Sequence, residues 1–139
     1  SSGYPVPILG SASGPCILAN LSLIEQRDIL NVLRDTGRLV DLTTQSVEEI
    51  IQSLKIIKKQ GYSIHKRERN KSYVGYMRIS NLTSLSIPII KKNKNIVGAM
   101  TIRYATSALT KEKALKNFIP VMGEAVSKIV EQMENENTE

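Results

Sequence analysis

Residues 95–104 read NIVGAMTIRY, and this stretch predicts the β-strand that decides the fold of the chain. Side chains two positions apart on a strand lie on the same face, so Thr101 and Arg103 are expected on one face of a sheet. The other face takes the apolar residues Ile96, Met100 and Ile102. An arginine in this setting is either a charge at the rim of the sheet or the anchor of an anion-binding pocket.

A second long strand is predicted over residues 84–90, just before the first one. The turn residues Asn93, Lys94 and Asn95 separate the two strands, which are therefore expected to form a hairpin. Shorter strands are predicted at residues 8–9 and 62–65. The segment 66–83 is long, polar and basic, and a loop of this length is typical of a functional or disordered segment.

Helices are predicted from their end signals. One begins at Gly14, and a second has Ser22 as its N-cap with Glu25 completing a capping box. The same pattern recurs at Ser46 and Glu49, and glycines end the second and third helices. Residues 38–45 are predicted as a polar connection, and a long last helix over residues 110 to about 133. The element order predicts an α/β (α+β) protein with an antiparallel sheet flanked by helices.

Composition narrows the class of protein. The 139 residues are 41% hydrophobic and fit one domain, over residues 1–139, with an aliphatic core. No apolar run approaches the roughly 20 residues that cross a bilayer, so no membrane partner and a cytoplasmic location are expected. Cys16 and His65 are the single cysteine and histidine, which excludes an internal disulfide and a Cys/His metal site.

The net charge of +6 raises the question of nucleic-acid binding. The basic residues, however, group at a helix end, in a loop and in a turn, where solvated charge is usual, and no aromatic residues are interleaved with them. A charged surface for solubility is the preferred interpretation, and direct nucleic-acid binding rests on the charge alone.

An enzyme is not expected. Ser13 and Gly14 do not form a Gly-x-Ser-x-Gly motif, and His65 is the only imidazole that could serve a nucleophile as a base. No paired carboxylates fall on the predicted core elements, and no phosphate-binding loop or cofactor motif is present.

A small-molecule site is better supported. Ser13 and Gly14 lead into a helix whose free backbone N–H groups would favour a carboxylate. Hydroxyl groups and a guanidinium are offered by the two long strands, from Ser84, Ser86, Thr101 and Arg103. Each of these residues, taken singly, is better explained as a satisfied turn hydroxyl or a solvent-facing strand residue, and only their convergence favours a binding site.

The chain resembles the effector-binding domain of IclR-type transcriptional regulators. The motifs that carry the resemblance are the small-residue run 7–14 leading into residues 16–19, the Gly61-Tyr62 pair, the strand 86–89, and the stretch 95–110 with the last helix. The resemblance covers nearly the whole chain, in order. It implies a GAF-like fold, a ligand cleft between sheet and helices, and a homodimer or homotetramer. It also implies a winged helix-turn-helix domain and the first strands of the effector domain before residue 1.

Carried over by position, the ligand-contacting sites of the family fall on Val6, Ser13, Gly14, His65, Ser84, Thr101 and Arg103. Val6 would form an apolar wall, and Ser13 and Gly14 would contribute backbone groups. His65 stands where family members that bind small keto acids carry an acidic residue, and Arg103 stands where they carry a serine. These departures favour a larger organic anion, and residues 96–109 resemble regulators of aromatic-acid (phenylpropionate-type) catabolism.

Two functions of different classes follow. The first is a ligand-sensing domain that binds a small organic, aromatic carboxylate and couples it to the arrangement of a dimer or tetramer, with DNA contacted only through the preceding domain. The second is a ligand-free dimerisation or scaffold module whose pocket is filled by its own side chains. No cofactor is expected in either.

Overall fold

The computed structural model describes residues 11–39, 45–67 and 81–136. Within them the chain forms four helices and three strands. The helices are α1 (Ser13–Ala19), α2 (Leu23–Asp35), α3 (Val47–Gln60) and α4 (Lys111–Glu136). The strands are β1 (Ser63–Arg67), β2 (Leu82–Ile90) and β3 (Ile96–Ala105).

The sheet is antiparallel with the order β1-β2-β3, as the predicted hairpin requires. The turn between β2 and β3 is closed by the amide of Lys91, which donates to the carbonyl of Asn95 at 2.9 Å. Lys94 adopts a left-handed φ of 73°, and the Asn93 side chain accepts from the Asn95 amide at 3.0 Å. Asn93, Lys94 and Asn95 therefore form the turn, as predicted.

One face of the sheet is apolar and packs against α4. Leu85 is fully buried at its centre, opposite Ile64 on β1 and Ile102 on β3. Met122 and Phe118 of α4 pack against this face. The predicted separation of apolar and polar residues along β3 is confirmed for Met100 and Ile102, which belong to this cluster. It does not extend to Ile96, because a register shift at Ile89 and Ile90 breaks the alternation before that residue.

A second core lies among the first three helices. It is built from Leu18 of α1, Leu30 of α2 and Ile51 and Leu54 of α3. Leu39 is 4% exposed and belongs to the same core. The prediction of a polar connection over residues 38–45 is therefore wrong at Leu39, because its side chain is buried in the core that the three helices form.

The helix ends follow the sequence signals closely. Ser22 and Glu25 form a complete capping box on α2, with both bonds at 3.2 Å. Ser46 and Glu49 form another on α3, at 3.2 and 3.3 Å. Gly61 ends α3 with a left-handed φ of 87°, a conformation that costs glycine little.

An ion pair joins α2 to α3. The Arg27 guanidinium is paired through both of its terminal nitrogens with the Glu48 carboxylate, and it holds the pKa of that carboxyl below its ordinary value. Both groups face solvent, so this contact orients the two helices more than it stabilises them.

The loop predicted over residues 66–83 is shorter at both ends. β1 continues through Lys66 and Arg67, and β2 begins at Leu82, because strand pairing extends as long as each backbone group finds a partner. The predicted strand at residues 8–9, the predicted site residue Val6 and residues 68–80 of the loop lie outside the described residues. Across the described ranges, none of the helices is both long enough and apolar enough to span a membrane.

Candidate functional site

The second face of the sheet, opposite α4, is polar, and we refer to it as the polar face. The strand register aligns Ser63, Ser86 and Thr101 in one row across it. Ser63 is 3% exposed and Ser86 is fully buried, and the Ser86 and Thr101 hydroxyls are hydrogen-bonded to each other at 2.6 Å. This hydroxyl row is thus largely occupied with its own contacts.

A neighbouring row on the polar face consists of His65, Ser84 and Arg103, with Ser84 in the middle. His65 and Ser84 are half-buried and Arg103 is exposed. Adjacent strands lie about 4.8 Å apart, which places the Cα atoms of His65 and Arg103 about 10 Å from each other. This His-Ser-Arg row offers an imidazole, a hydroxyl and a guanidinium on a surface that is still accessible.

The two rows bring together five residues that sequence reasoning selected as ligand contacts: His65, Ser84, Ser86, Thr101 and Arg103. Directly paired residues of antiparallel strands share a face, so this clustering follows from the register alone. Their contact with a ligand stays a prediction.

Helix α1 covers part of the polar face. It lies next to β2 and β3, and it brings the half-buried residues Ser13 and Gly14 to this layer. The Gly14 amide, predicted to be free for a carboxylate, donates to the Ser11 hydroxyl at 3.4 Å, and that hydroxyl is also 3.2 Å from the Ser13 hydroxyl. A carboxylate at this helix end would therefore have to replace the Ser11 side chain.

Sequence reasoning missed two residues of the polar face, Ser63 and Arg67. Both lie on β1, two positions before and two positions after His65, so they share its face. Arg67 was assigned to a loop, and a correct end for β1 would have revealed it. None of the three strands contains an Asp or Glu, so the polar face carries cationic groups with no acidic side chain of the sheet beside them.

Cys16 does not supply a nucleophile. Its side chain is fully buried in α1, and burial raises the pKa of the thiol to about 11, so it stays protonated at neutral pH. In the described ranges, no three His, Cys, Asp or Glu side chains lie close enough together to hold a metal ion. The arginine, histidine and hydroxyl side chains of the polar face are instead suited to binding an anion by hydrogen bonds and charge.

The chain matches the model of one protein family. A family model described as the C-terminal domain of the bacterial transcriptional regulator IclR matches residues 1–131. No curated protein matches the chain at a significant level.

Three solved structures share the fold of this chain at low sequence identity. RHA06195 from Rhodococcus sp. RHA1, described as a transcriptional regulator, superposes with a TM-score of 0.72 at 20% identity over 96% of this chain and 49% of its own. The C-terminal domain of the E. coli transcriptional regulator KdgR has a TM-score of 0.71 at 22% identity, over 94% of this chain and 73% of its own. A double mutant of the inducer-binding domain of the Acinetobacter transcription factor PobR, in complex with 3-hydroxybenzoic acid, has a TM-score of 0.66 at 10% identity, over 92% and 67%.

At these identities the structural likeness concerns the fold, and it confirms the GAF-like arrangement of an antiparallel sheet flanked by helices. The chain spans about half the length of the Rhodococcus regulator.

Proposed function

Because the chain belongs to the family of IclR-type bacterial transcriptional regulators, as their C-terminal effector-binding domain, we propose that it senses a small organic, aromatic carboxylate. The observation that carries the proposal is the His-Ser-Arg row. It presents Arg103 on the accessible part of the polar face, next to the hydroxyl of Ser84. Arg103 makes no ion pair with any of the described residues, so its guanidinium is available to an anion.

The chemistry of these groups suits a carboxylate. A guanidinium binds the two oxygens of a carboxylate through parallel N–H donors, and the Ser84 and Thr101 hydroxyls can donate to the same group or to a neighbouring substituent. A charge-assisted hydrogen bond of this kind contributes about 1.5 to 3 kcal/mol when water is excluded. Val6, Ser13 and Gly14 would complete the site from the start of the chain and from α1.

An aromatic acid is supported by two independent hints. Residues 96–109 resemble regulators of aromatic-acid catabolism, and the PobR domain of the same fold is described as bound to 3-hydroxybenzoic acid. The identity to that domain is 10%, so we use 3-hydroxybenzoic acid as a test compound.

Ligand binding would act on DNA indirectly. We propose that residues 1–139 form one sensing domain of a cytoplasmic regulator, which assembles as a dimer or tetramer and contacts DNA through a separate winged helix-turn-helix domain. An effector that binds one arrangement of the subunits more tightly shifts the population toward it, by no more than its difference in affinity for the two.

The experiment that tests the proposal is a thermal-shift screen against benzoate, 3-hydroxybenzoate, phenylpropionate and aliphatic carboxylates. For the wild type, we expect one chemical class to raise the melting temperature, because a ligand that binds only the folded state stabilises it. The variant Arg103→Ala should lose that rise. The control Lys66→Ala removes a cation from the opposite face of the sheet and should keep it.

The outcomes separate the parts of the proposal. A rise that survives Arg103→Ala would retain the sensor and reject Arg103 as its anchor. No rise with any carboxylate would contradict the sensor and favour the second candidate, a ligand-free dimerisation module. That alternative has one observation of its own, since the Ser86–Thr101 hydrogen bond shows that part of the polar face is already filled by side chains.

A further inference from the structure

The polar face carries two arginines. Arg67 follows His65 by two positions on β1 and therefore shares its face, and Arg103 lies on the other side of β2. Both are exposed, and neither forms an ion pair with a described residue. The face thus has two positively charged guanidinium groups. The imidazole of His65 lies two residues from Arg67 on β1 and in the same row as Arg103.

The register sets the separation of these charges. Arg67 and Arg103 are two strands apart and two residues apart along the strand direction, so their Cα atoms lie about 12 Å from each other. One carboxylate forms a bidentate pair with one guanidinium. A ligand with a single carboxylate at Arg103 would therefore leave Arg67 without an ion-pair partner among the described residues.

Exposure gives the direction in which a ligand can extend from Arg103. Thr101, next to Arg103 along β3, is exposed, but Ser86, opposite it on β2, is fully buried and hydrogen-bonded to it, so the hydroxyl row offers no open way across the sheet. Ser84, one row farther along β2, is half-buried, and Arg67, beyond it, is exposed. The accessible path from Arg103 therefore runs over Ser84 toward His65 and Arg67.

From this arrangement we infer that the effector is a dicarboxylate that spans the sheet, with one carboxylate on Arg103 and the second on Arg67. His65 lies beside the second position and donates an N–H to it. The inference rests on the proposed function, since it assigns the ligand class of the same site.

The test compares matched pairs of acids that differ by one carboxylate: benzoate with terephthalate, and hexanoate with adipate. Their affinities for the 139-residue chain are measured by titration calorimetry. We expect at least one dicarboxylate to bind about tenfold or more tightly than its partner, because it pairs with two guanidinium groups instead of one.

Variants assign this preference to Arg67. Arg67→Gln should remove the preference and leave the affinity for the monocarboxylate within about twofold, whereas Arg67→Lys, which keeps the charge, should retain part of it. Lys66→Gln makes the same change of charge one residue away on the opposite face of the sheet, and it should leave the preference intact. Arg103→Gln should weaken both members of a pair.

Four results would overturn the inference. Equal affinity for both members of each pair would show that one carboxylate suffices and would leave the sensor proposal standing. A preference that survives Arg67→Gln, or that falls equally in Lys66→Gln, would show that Arg67 does not hold the second carboxylate. Absence of binding by all four acids, in a chain that melts cooperatively, would contradict the sensor proposal together with this inference.

Discussion

Cys16 shows how the interior of the protein acts on a single residue. Burial raises the pKa of its thiol to about 11 from an ordinary value of 9.0. Between these values the unfolded chain loses the proton while the folded chain keeps it, so the free energy of unfolding falls as the pH rises above about 9. The slope from this group is at most about 1.4 kcal/mol per pH unit.

We therefore expect the wild type to lose more stability between pH 8 and pH 10 than Cys16→Ala does. Urea unfolding of both proteins at the two pH values measures this difference, and the alanine variant serves as the control for the pH dependence of the rest of the chain. An identical loss in both proteins would show that the thiol is accessible to water in the folded state.

At the scale of elements, α3 depends on its N-terminal cap. The Ser46 hydroxyl accepts from the Glu49 amide at 3.2 Å, and the Glu49 carboxylate accepts from the Ser46 amide at 3.3 Å. Ser46→Ala removes one of these bonds and should lower the free energy of unfolding by about 1 kcal/mol. Ser127→Ala, at an exposed position within α4, is the matched control and should cost nothing measurable.

Urea unfolding of the two variants checks this expectation. A loss in Ser46→Ala no larger than in Ser127→Ala would mean that water replaces the capping bond without cost. Such caps are local, since donor and acceptor are three residues apart, and this is why both capping boxes and the glycine at the end of α3 could be predicted from the sequence.

At the scale of the whole molecule, the proposed self-association can be tested at the exposed apolar residues of α2. Its apolar residues Leu23, Ile24 and Val32 are 48, 73 and 60% exposed. Burial of apolar side chains is a main source of affinity between subunits. We expect the chain to sediment as a dimer or larger, and Ile24→Glu to shift it toward the monomer.

Sedimentation velocity, with and without a carboxylate from the thermal-shift screen, measures both association and its response to ligand. Val121→Glu is the control, because Val121 is 66% exposed but lies on α4. A chain that is monomeric at all concentrations would contradict the coupling of ligand to subunit arrangement and leave the binding site unaffected.

The sequence by itself determined the features that depend on neighbouring residues. Alternation along residues 98–104 placed Thr101 and Arg103 on one face and Met100 and Ile102 on the other, and the hairpin turn followed from Asn93 and its neighbours. These features are local, because a strand alternates and a turn closes within a few residues.

Only the tertiary structure decided which distant residues meet. The alignment of His65 with Ser84 and Arg103 is a property of register, and a shift of one residue would have turned His65 to the opposite face. Arg67 belongs to the polar face because the pairing of β1 with β2 extends as far as Arg67 and Leu82. The Gly14 amide has a partner because the Ser11 side chain lies within hydrogen-bonding distance of it. Pairing partners far apart in the chain are chosen by packing of both faces of the sheet at once, and no short stretch of sequence contains that information.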